Sequence, residues 1–361
     1  MRSMTREWVG AGLILAGMMA CADAPSAPRT PGPDAAISAD EGASISAFVP
    51  LNLGVIPGRN NSVANGNNIN GDAGGVSYNV DPVTDGRVTV WPVGGGPVDL
   101  GVPAGYTAAV GNAISDFNAV VGSAYNAAGR RGFVWQVGGI GFNVLLGPAG
   151  TTDLDARDIE DNNLVVVGEF TNAGNVHAFR WQLATGYQDL HPAGYLSSHA
   201  EAIGPNGDIT GWAKMFGGPE HAVMWSAAGG FVDLGALPGG TDSHGFDINR
   251  FRTTVGESTT GAGTVVAIAR RPPGAMQGAP AAGSRGMGIS DLNRMVGWAP
   301  LGANRRAVTK RGPGGFIYLP FLGGTLNSDA REVNLCGEAV GSTTFINGSV
   351  RATRWQNIPC D

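Results

Sequence analysis

The sequence predicts an all-β fold: a seven-bladed β-propeller of four-stranded repeats of roughly 44 residues, closed by an N-terminal strand joining the last blade. Three observations predict it. Glycine supplies 59 of 361 residues while hydrophobic content stays at 43%, and many tight turns with a packed core are the mark of an all-β chain. Two residue columns recur with one period. The run that opens the repeat region resembles the piece that the last repeat lacks.

The first column is the third strand of each unit. It reads "RVTVW" (87–91), "RGFVW" (131–135), "HAFRW" (177–181), "HAVMW" (221–225), "VAIAR" (266–270), "RAVTK" (306–310) and "RATRW" (351–355). The second column is a Val-Gly step or its equivalent at Gly122, Gly168, Gly211, Gly256, Gly297 and Gly341, degenerate in the first unit. Within one unit, strand a is "HAEAIGP", strand b "ITGWA", strand c "HAVMW" and strand d "FVDLGAL". Each run is bounded by Gly, Asn or Pro, as strands are. Four strands per repeat of this length is one propeller blade.

The ends complete the ring. The seventh unit stops after strand c, with "QNIPCD" remaining, while "FVPLNLGVIPG" (48–58) stands alone at the front and resembles "FVDLGALPGG" (231–240). Pairing the two ends removes an open sheet edge. An open stack would need capping units, and none is read. Blade 5 is the weak point of the count, because "RRPPGAMQGAPAAGSRG" (270–286) replaces a clear strand d.

Residues 1–20 read as a signal peptide: Arg2 and Arg6 precede a 13-residue apolar run, Trp8 to Ala20. That run is too short to span a bilayer as a helix. Residues 21–45 are rich in Pro, Ala and Ser and read as a tether that cannot bury enough apolar surface to fold. The propeller is assigned to 46–361. The net charge is −6, only 14% of residues are charged, and no basic patch or arginine run is read; nucleic acid is not an expected partner.

Cys21 directly after Ala20 resembles the bacterial lipobox, with Met18 where leucine is usual. That resemblance implies an acylated cysteine, a membrane contact made only through this anchor, and export to the cell envelope or beyond. "HAFRW" and "HAVMW", with the "DLG" ends (99–101, 233–235) and the "VVG" steps, resemble the bacterial extracellular repeats named for a His-Ala-Phe triplet. The resemblance covers about 55–355 and implies an exported propeller-like domain without a general activity.

Strand c alternates, so its second and fourth positions share a face. Small residues at the second position let neighbours approach closely. Trp91, Trp135, Trp181, Trp225 and Trp355 end the strand and read as structural packing between blades; Arg270 and Lys310 replace them in blades 5 and 6. The first position is cationic in six blades, and Asp99, Asp189 and Asp233 on strand d are within reach as ion-pair partners. The two histidines at that position, His177 and His221, stand one blade apart and have no metal-ligand spacing. No metal and no cofactor is expected. Cys336 and Cys360 are positioned to staple the closing blade with a disulfide after export.

No nucleophile elbow, P-loop or sialidase-type box is present. Asn68, Asn70 and Asp72 faintly resemble a calcium loop but lack its twelfth-position glutamate, and read as an Asn-Gly turn. The a–b turns are short and uniform; the b–c loops vary and carry aromatics. The candidate ligand-binding face is therefore the b–c/d–a face around the channel, with Tyr125, Phe170, Trp212, Met215, Phe216, Trp298 and Phe345. No catalytic residue is assigned. The expected function is a monomeric binding or interaction module at the bacterial cell surface for a protein or glycan. The alternatives are a propeller enzyme acting on a polysaccharide and a purely structural envelope protein. Three or more carboxylates at one mouth would point to the enzyme; an aromatic, charge-poor mouth would point to binding.

Overall fold

The computed structural model describes residues 48–136, 141–160, 164–312 and 314–357. They form seven four-stranded antiparallel sheets, a seven-bladed β-propeller. Strand a of each blade lines a central channel, and strands b, c and d follow outward in order. The signal peptide, tether and Cys21 lie outside the described residues.

Blade 7 closes the ring as expected. Its strand d is Phe48–Gly54, which pairs with Val350–Asn357 in the register Phe48 to Asn357 and Leu51 to Arg354. The outer strand of an edge sheet thus comes from the other end of the chain. Blades 5 and 6 are complete, but their strands d shrink to Gln277–Gly278 and Ile317–Tyr318.

One device recurs in all seven blades. Strand a bulges at Asn65, Asn112, Arg157, Glu201, Phe246, Met287 and Arg331, the residues skipped by its register with strand b. The bulge presses a carbonyl of strand a onto the glycine opposite. A Cβ on Gly75, Gly122, Gly168, Gly211, Gly256, Gly297 or Gly341 would lie 1.9–2.0 Å from that oxygen. Only glycine tolerates such an approach. Gly75 supplies the member that the sequence column lacks; it escaped notice because Ala73 and Gly74 precede it where other blades carry a β-branched residue. The bulged residues themselves all line the channel. The constraint that demands glycine on strand b therefore delivers one freely chosen side chain per blade to the interior.

Between blades the packing follows strand c. Val88, Ala178, Ala222, Ala267, Ala307 and Ala352 are fully buried. In blade 2 a Cβ on Gly132 would lie 2.5 Å from Leu154 of the next blade. Close approach has a further use in five blades. The backbone N–H of Ala178, Ala222, Ala267, Ala307 and Ala352 donates to the Oγ of Ser198, Ser243, Ser284, Ser328 and Ser62 on the following blade, at 2.8–3.0 Å. This serine column stitches neighbouring sheets and was missed in the sequence. Trp91, Trp225 and Trp355 are buried, while Trp135 and Trp181 are half-buried. The indole N–H of Trp225 donates to Leu190 O at 2.8 Å and that of Trp355 to Pro320 O at 2.6 Å, each on the preceding blade. The ion pairs expected at the start of strand c form in blades 1, 3 and 4: Arg87–Asp99 (2.8 Å), His177–Asp189 (2.8 Å) and His221–Asp233 (3.0 Å). Arg131 and Arg351 instead donate to backbone carbonyls of the next blade, Thr152 O and Asn60 O.

Candidate functional site

The channel encloses about 800 Å³. Its mouth on the b–c/d–a side is built unequally. Strand a contributes the residue before its bulge pair, and strand b the residue after its glycine. In blades 3 to 7 these are Asp155 and Glu169, His199 and Trp212, His244 and Glu257, Arg285 and Trp298, Asp329 and Ser342. Blades 1 and 2 place Val63 and Val76, Val110 and Ser123 there. The b–c connection of blade 1 adds a single-turn helix, Pro82–Asp85, capped by Asp81. Tyr78, Pro82, Val83 and Tyr125 extend the less charged wall.

The charged arc is continuous. Arg130 pairs with Asp153 and Asp155 at 2.5 Å each and reaches Glu169 at 3.3 Å. Arg157, delivered by the bulge, pairs with Asp155 at 3.1 Å and lies 3.6 Å from Glu169 and 3.9 Å from Glu201. The His199 Nδ1 meets Glu169 at 2.5 Å. The His199 ring stacks on Trp212 at 3.6 Å, and His244 closes on Trp212 from 4.9 Å. His244 meets Glu220 at 3.1 Å and Glu257 at 3.3 Å; Glu257 pairs with Arg285 at 2.5 Å. Arg285 and Arg305 flank Trp298 at 5.9 and 5.2 Å. Arg305 and Arg331 share Asp329 at 3.0 Å, and Arg331 donates to Asn65 in blade 1 at 2.8 Å.

Titration behaviour follows from this wiring. Burial works against the Glu169 charge, but the His199 hydrogen bond and the guanidinium groups of Arg157 and Arg130 override it and hold its carboxyl at about 2. Burial raises Glu201 instead, only partly offset by Arg157. Two carboxyl groups beside one arginine are thus pushed apart. His244 is raised: burial opposes its charge, and Glu257 and Glu220 outweigh that. Inside the channel, Asp247 and Glu332 are both raised by burial, and the charge of Asp247 raises Glu332 further. Asp158 and Asp247 also accept backbone N–H groups of the next blade, Ile203 at 2.8 Å and Ile289 at 2.6 Å. Among the described residues no group of three or more His, Cys, Asp or Glu is placed to hold a metal ion. Asn68 and Asp72 are engaged in turn bonds: Asn68 caps its own turn and reaches Ser115 O at 3.2 Å, and Asp72 accepts from Val93 N at 2.8 Å.

The expected site residues separate. Tyr125 lines the channel. Trp212 and Trp298 belong to the arc, but imidazoles and guanidinium groups cover their rings. Phe170 is 3% exposed and sits in the core with Phe179, so it packs and does not contact solvent. Phe216 is 80% exposed at the tip of the blade-4 b–c turn. Met215 and Phe345 are half-buried at strand ends. Sequence reasoning missed Arg130, Asp155, Arg157 and Glu201. Strand a of blade 3, Thr151–Glu160, also supplies Asp153 and Asp158. Cys336 lies in the a–b turn of blade 7, and Cys360 lies outside the described residues.

The expectation that no basic patch exists is corrected. Arg270, Arg271, Arg294, Lys310 and Arg311 gather on the a–b/c–d side of blades 5 and 6. They lie at the same ends of two consecutive blades, in positions about 40 residues apart, so a window along the chain does not show them together.

No protein-family model and no curated protein matches the chain. Solved structures do. A prolyl endopeptidase gives a TM-score of 0.57 at 11% identity, covering 83% of this chain and 50% of that one. A puromycin hydrolase gives 0.51 at 10% identity, with 83% and 54% covered. The BP39L lectin from Burkholderia pseudomallei gives 0.51 at 12% identity, with 83% and 97% covered. The chain spans about half the length of the first two proteins. At these identities the likeness shows the propeller fold alone.

Proposed function

We propose that the chain is an exported binding module of the bacterial envelope, a member of the His-Ala-Phe repeat group, anchored through acylated Cys21. Its ligand, a glycan or a protein, is taken at the b–c/d–a mouth. The observation that carries this reading is the division of that mouth. The repeat needs neither the charged arc of blades 3 to 7 nor the less charged wall of blades 1 and 2, yet both sit at one level of the ring, the arc reaching the channel through Arg157, Glu201 and Arg331 and the wall through Val63, Val110 and Tyr125. A ligand with an apolar flank and a flank of hydroxyl or amide groups fits such a division. Exposed Val80, Leu146, Phe216 and Ile346 on the same side extend the contact toward a macromolecule. Cys336 pairs with Cys360 in the exported form.

A glycan array and a pull-down with the 46–361 fragment test this. The expected result is capture of a defined ligand, weakened more than tenfold by Tyr125→Ala. An array and pull-down silent for every candidate would overturn it. Non-reducing peptide mapping is expected to give a Cys336–Cys360 peptide.

Two observations favour the enzymatic reading: the arc gathers more than three carboxylates, among them Asp155, Glu169, Glu257 and Asp329, and an ionised Glu169 and a raised Glu201 stand on either side of Arg157. Such a split separates a base or nucleophile from an acid. It predicts glycan hydrolysis that Glu201→Gln abolishes; full activity in that variant would remove it.

A further inference from the structure

Charge is distributed very unevenly along this acidic chain. Residues 250–312 hold ten of its 23 Lys and Arg, against only Glu257 and Asp291 of its 29 Asp and Glu. The fold sorts the ten by height. Arg285, Arg305 and Arg306 lie toward the ligand mouth or between blades. The other seven come to the opposite, a–b/c–d side of blades 5 and 6, at strand ends and turns. Arg250 and Arg252 are neutralised there by Asp291 (3.5 Å) and Asp208 (2.8 Å). Arg270, Arg271, Arg294, Lys310 and Arg311 have no carboxylate within 4.0 Å among the described residues. Arg294 and Arg311 are directly opposite each other in the ladder, an arrangement that repels and that the fold alone has no use for.

Two further facts fix what this sector faces. Phe251 and Leu292, at the tips of the a–b turns of blades 5 and 6, are 40% and 51% exposed. The propeller's first described residue, Phe48, emerges on the same side, with the Arg294 guanidinium 5.5 Å over its ring. The described chain therefore starts, at Phe48, next to the basic sector.

We infer that the a–b/c–d side of blades 5 and 6 docks on an anionic lipid bilayer. The exposed Arg271 and Arg311 meet lipid phosphates, the half-buried Arg270, Arg294 and Lys310 add positive field behind them, and Phe251 and Leu292 enter the headgroup layer. This orients the ligand mouth away from the membrane. The inference rests on the envelope assignment above, but its chemistry is independent of acylation. Each basic residue near an anionic bilayer strengthens binding about fivefold, and salt screens it over a Debye length.

The test uses the mature chain, residues 21–361, as Cys21→Ser, so that no acyl chain contributes. Co-sedimentation is measured with vesicles of phosphatidylcholine alone and with 40% (roughly) phosphatidylglycerol. The expected result is binding to the anionic vesicles only, lost at high salt, and weakened more than tenfold in Arg271→Glu/Arg311→Glu. Both residues are exposed, so the variant should keep the fold, checked by circular dichroism. Arg180→Glu on blade 3 should bind as the parent does. No binding to anionic vesicles, or unchanged binding in the double variant, would overturn the inference. So would tighter binding to DNA or heparin than to the vesicles at equal salt. Mass analysis of Cys21 in the exported wild-type chain reports separately on the anchor: an unacylated Cys21 would refute the anchor and leave the vesicle result standing.

Discussion

Blades 3 and 4 and blades 5 and 6 solve the same folding problem with different outer halves. Blades 3 and 4 end strand c in tryptophan, open it with a His–Asp pair, and cover it with a strand d of four or five residues. Blades 5 and 6 end strand c in Arg270 and Lys310, open it with Val266 and Arg306, and cover it with two residues. Arg306 is 9% exposed and rests over the Phe321 ring at 4.5 Å, and among the described residues it has no carboxylate within 4.0 Å. What the two pairs share is the inner half: the bulge on strand a, the glycine facing it, the small residue on strand c and the serine stitch. The ring is therefore specified by its inner three strands. The outer layer is free to become a packed cover or a charged surface.

The sharpest way to break this comparison is to attack the shared device in both halves. Gly168→Ala and Gly297→Ala each drive a Cβ to 2.0 Å from a backbone oxygen that cannot swing aside. Both are expected to cost about 4 kcal/mol or more and to abolish folded expression. A tolerated alanine in either blade would show that the inner layer is not what the blades hold in common.

The outer layer should then respond unequally. Trp225→Ala removes a 4%-exposed side chain and is expected to cost about 3–5 kcal/mol in urea unfolding. Arg270→Ala, at the same repeat position, should cost less than about 1 kcal/mol. Equal costs would mean that Arg270 packs as the tryptophans do.

Acid sharpens the contrast between the arc and the channel. The folded Glu169 carboxyl is depressed from 4.5 to about 2. Its contribution is thus full above the unfolded value and lost as pH falls from about 4.5 to 2. Thermal melts between pH 5 and 2.5 should show the wild type losing on the order of 2 kcal/mol more than Glu169→Gln. Glu332 has the opposite sign. Its folded carboxyl is raised, so the folded state is weakened as pH rises above the usual carboxylate range. Glu332→Gln should therefore be more stable than the wild type at pH 8, with the gain disappearing as pH falls to 4.

The smallest effect belongs to the strand c pairs. Asp233→Ala breaks a partly exposed pair with His221 and should cost under about 1 kcal/mol.

The ring was legible because its determinants are local and periodic. The strand c tryptophans, the Val-Gly step and the orphan strand at the front all lie in fixed places in the repeat. Gly75 was hidden because a column was sought by its neighbours and not by the contact that requires it. The site was legible only as a face. Tyr125 was found because loop aromatics are conspicuous. Phe170 was misjudged because strand direction alone does not say which way a side chain turns. The Arg130–Asp155–Arg157–Glu201 network was missed because its members sit on three blades and on a bulge, whose extra residue cannot be seen in one strand. The basic sector was missed for the same reason: the fold, not sequence distance, brings the strand ends that carry Arg271 and Arg311 to one side of consecutive blades.

Ring closure by the leading strand is the central claim, and amide hydrogen exchange tests it most directly. Leu51 and Arg354 are partners in the closing ladder, so the amides of 48–54 and of 350–357 that face each other should be protected together and open together. Rapid exchange across 48–54 while 350–357 stays protected would contradict the claim, because the last sheet would then hold three strands and an open edge.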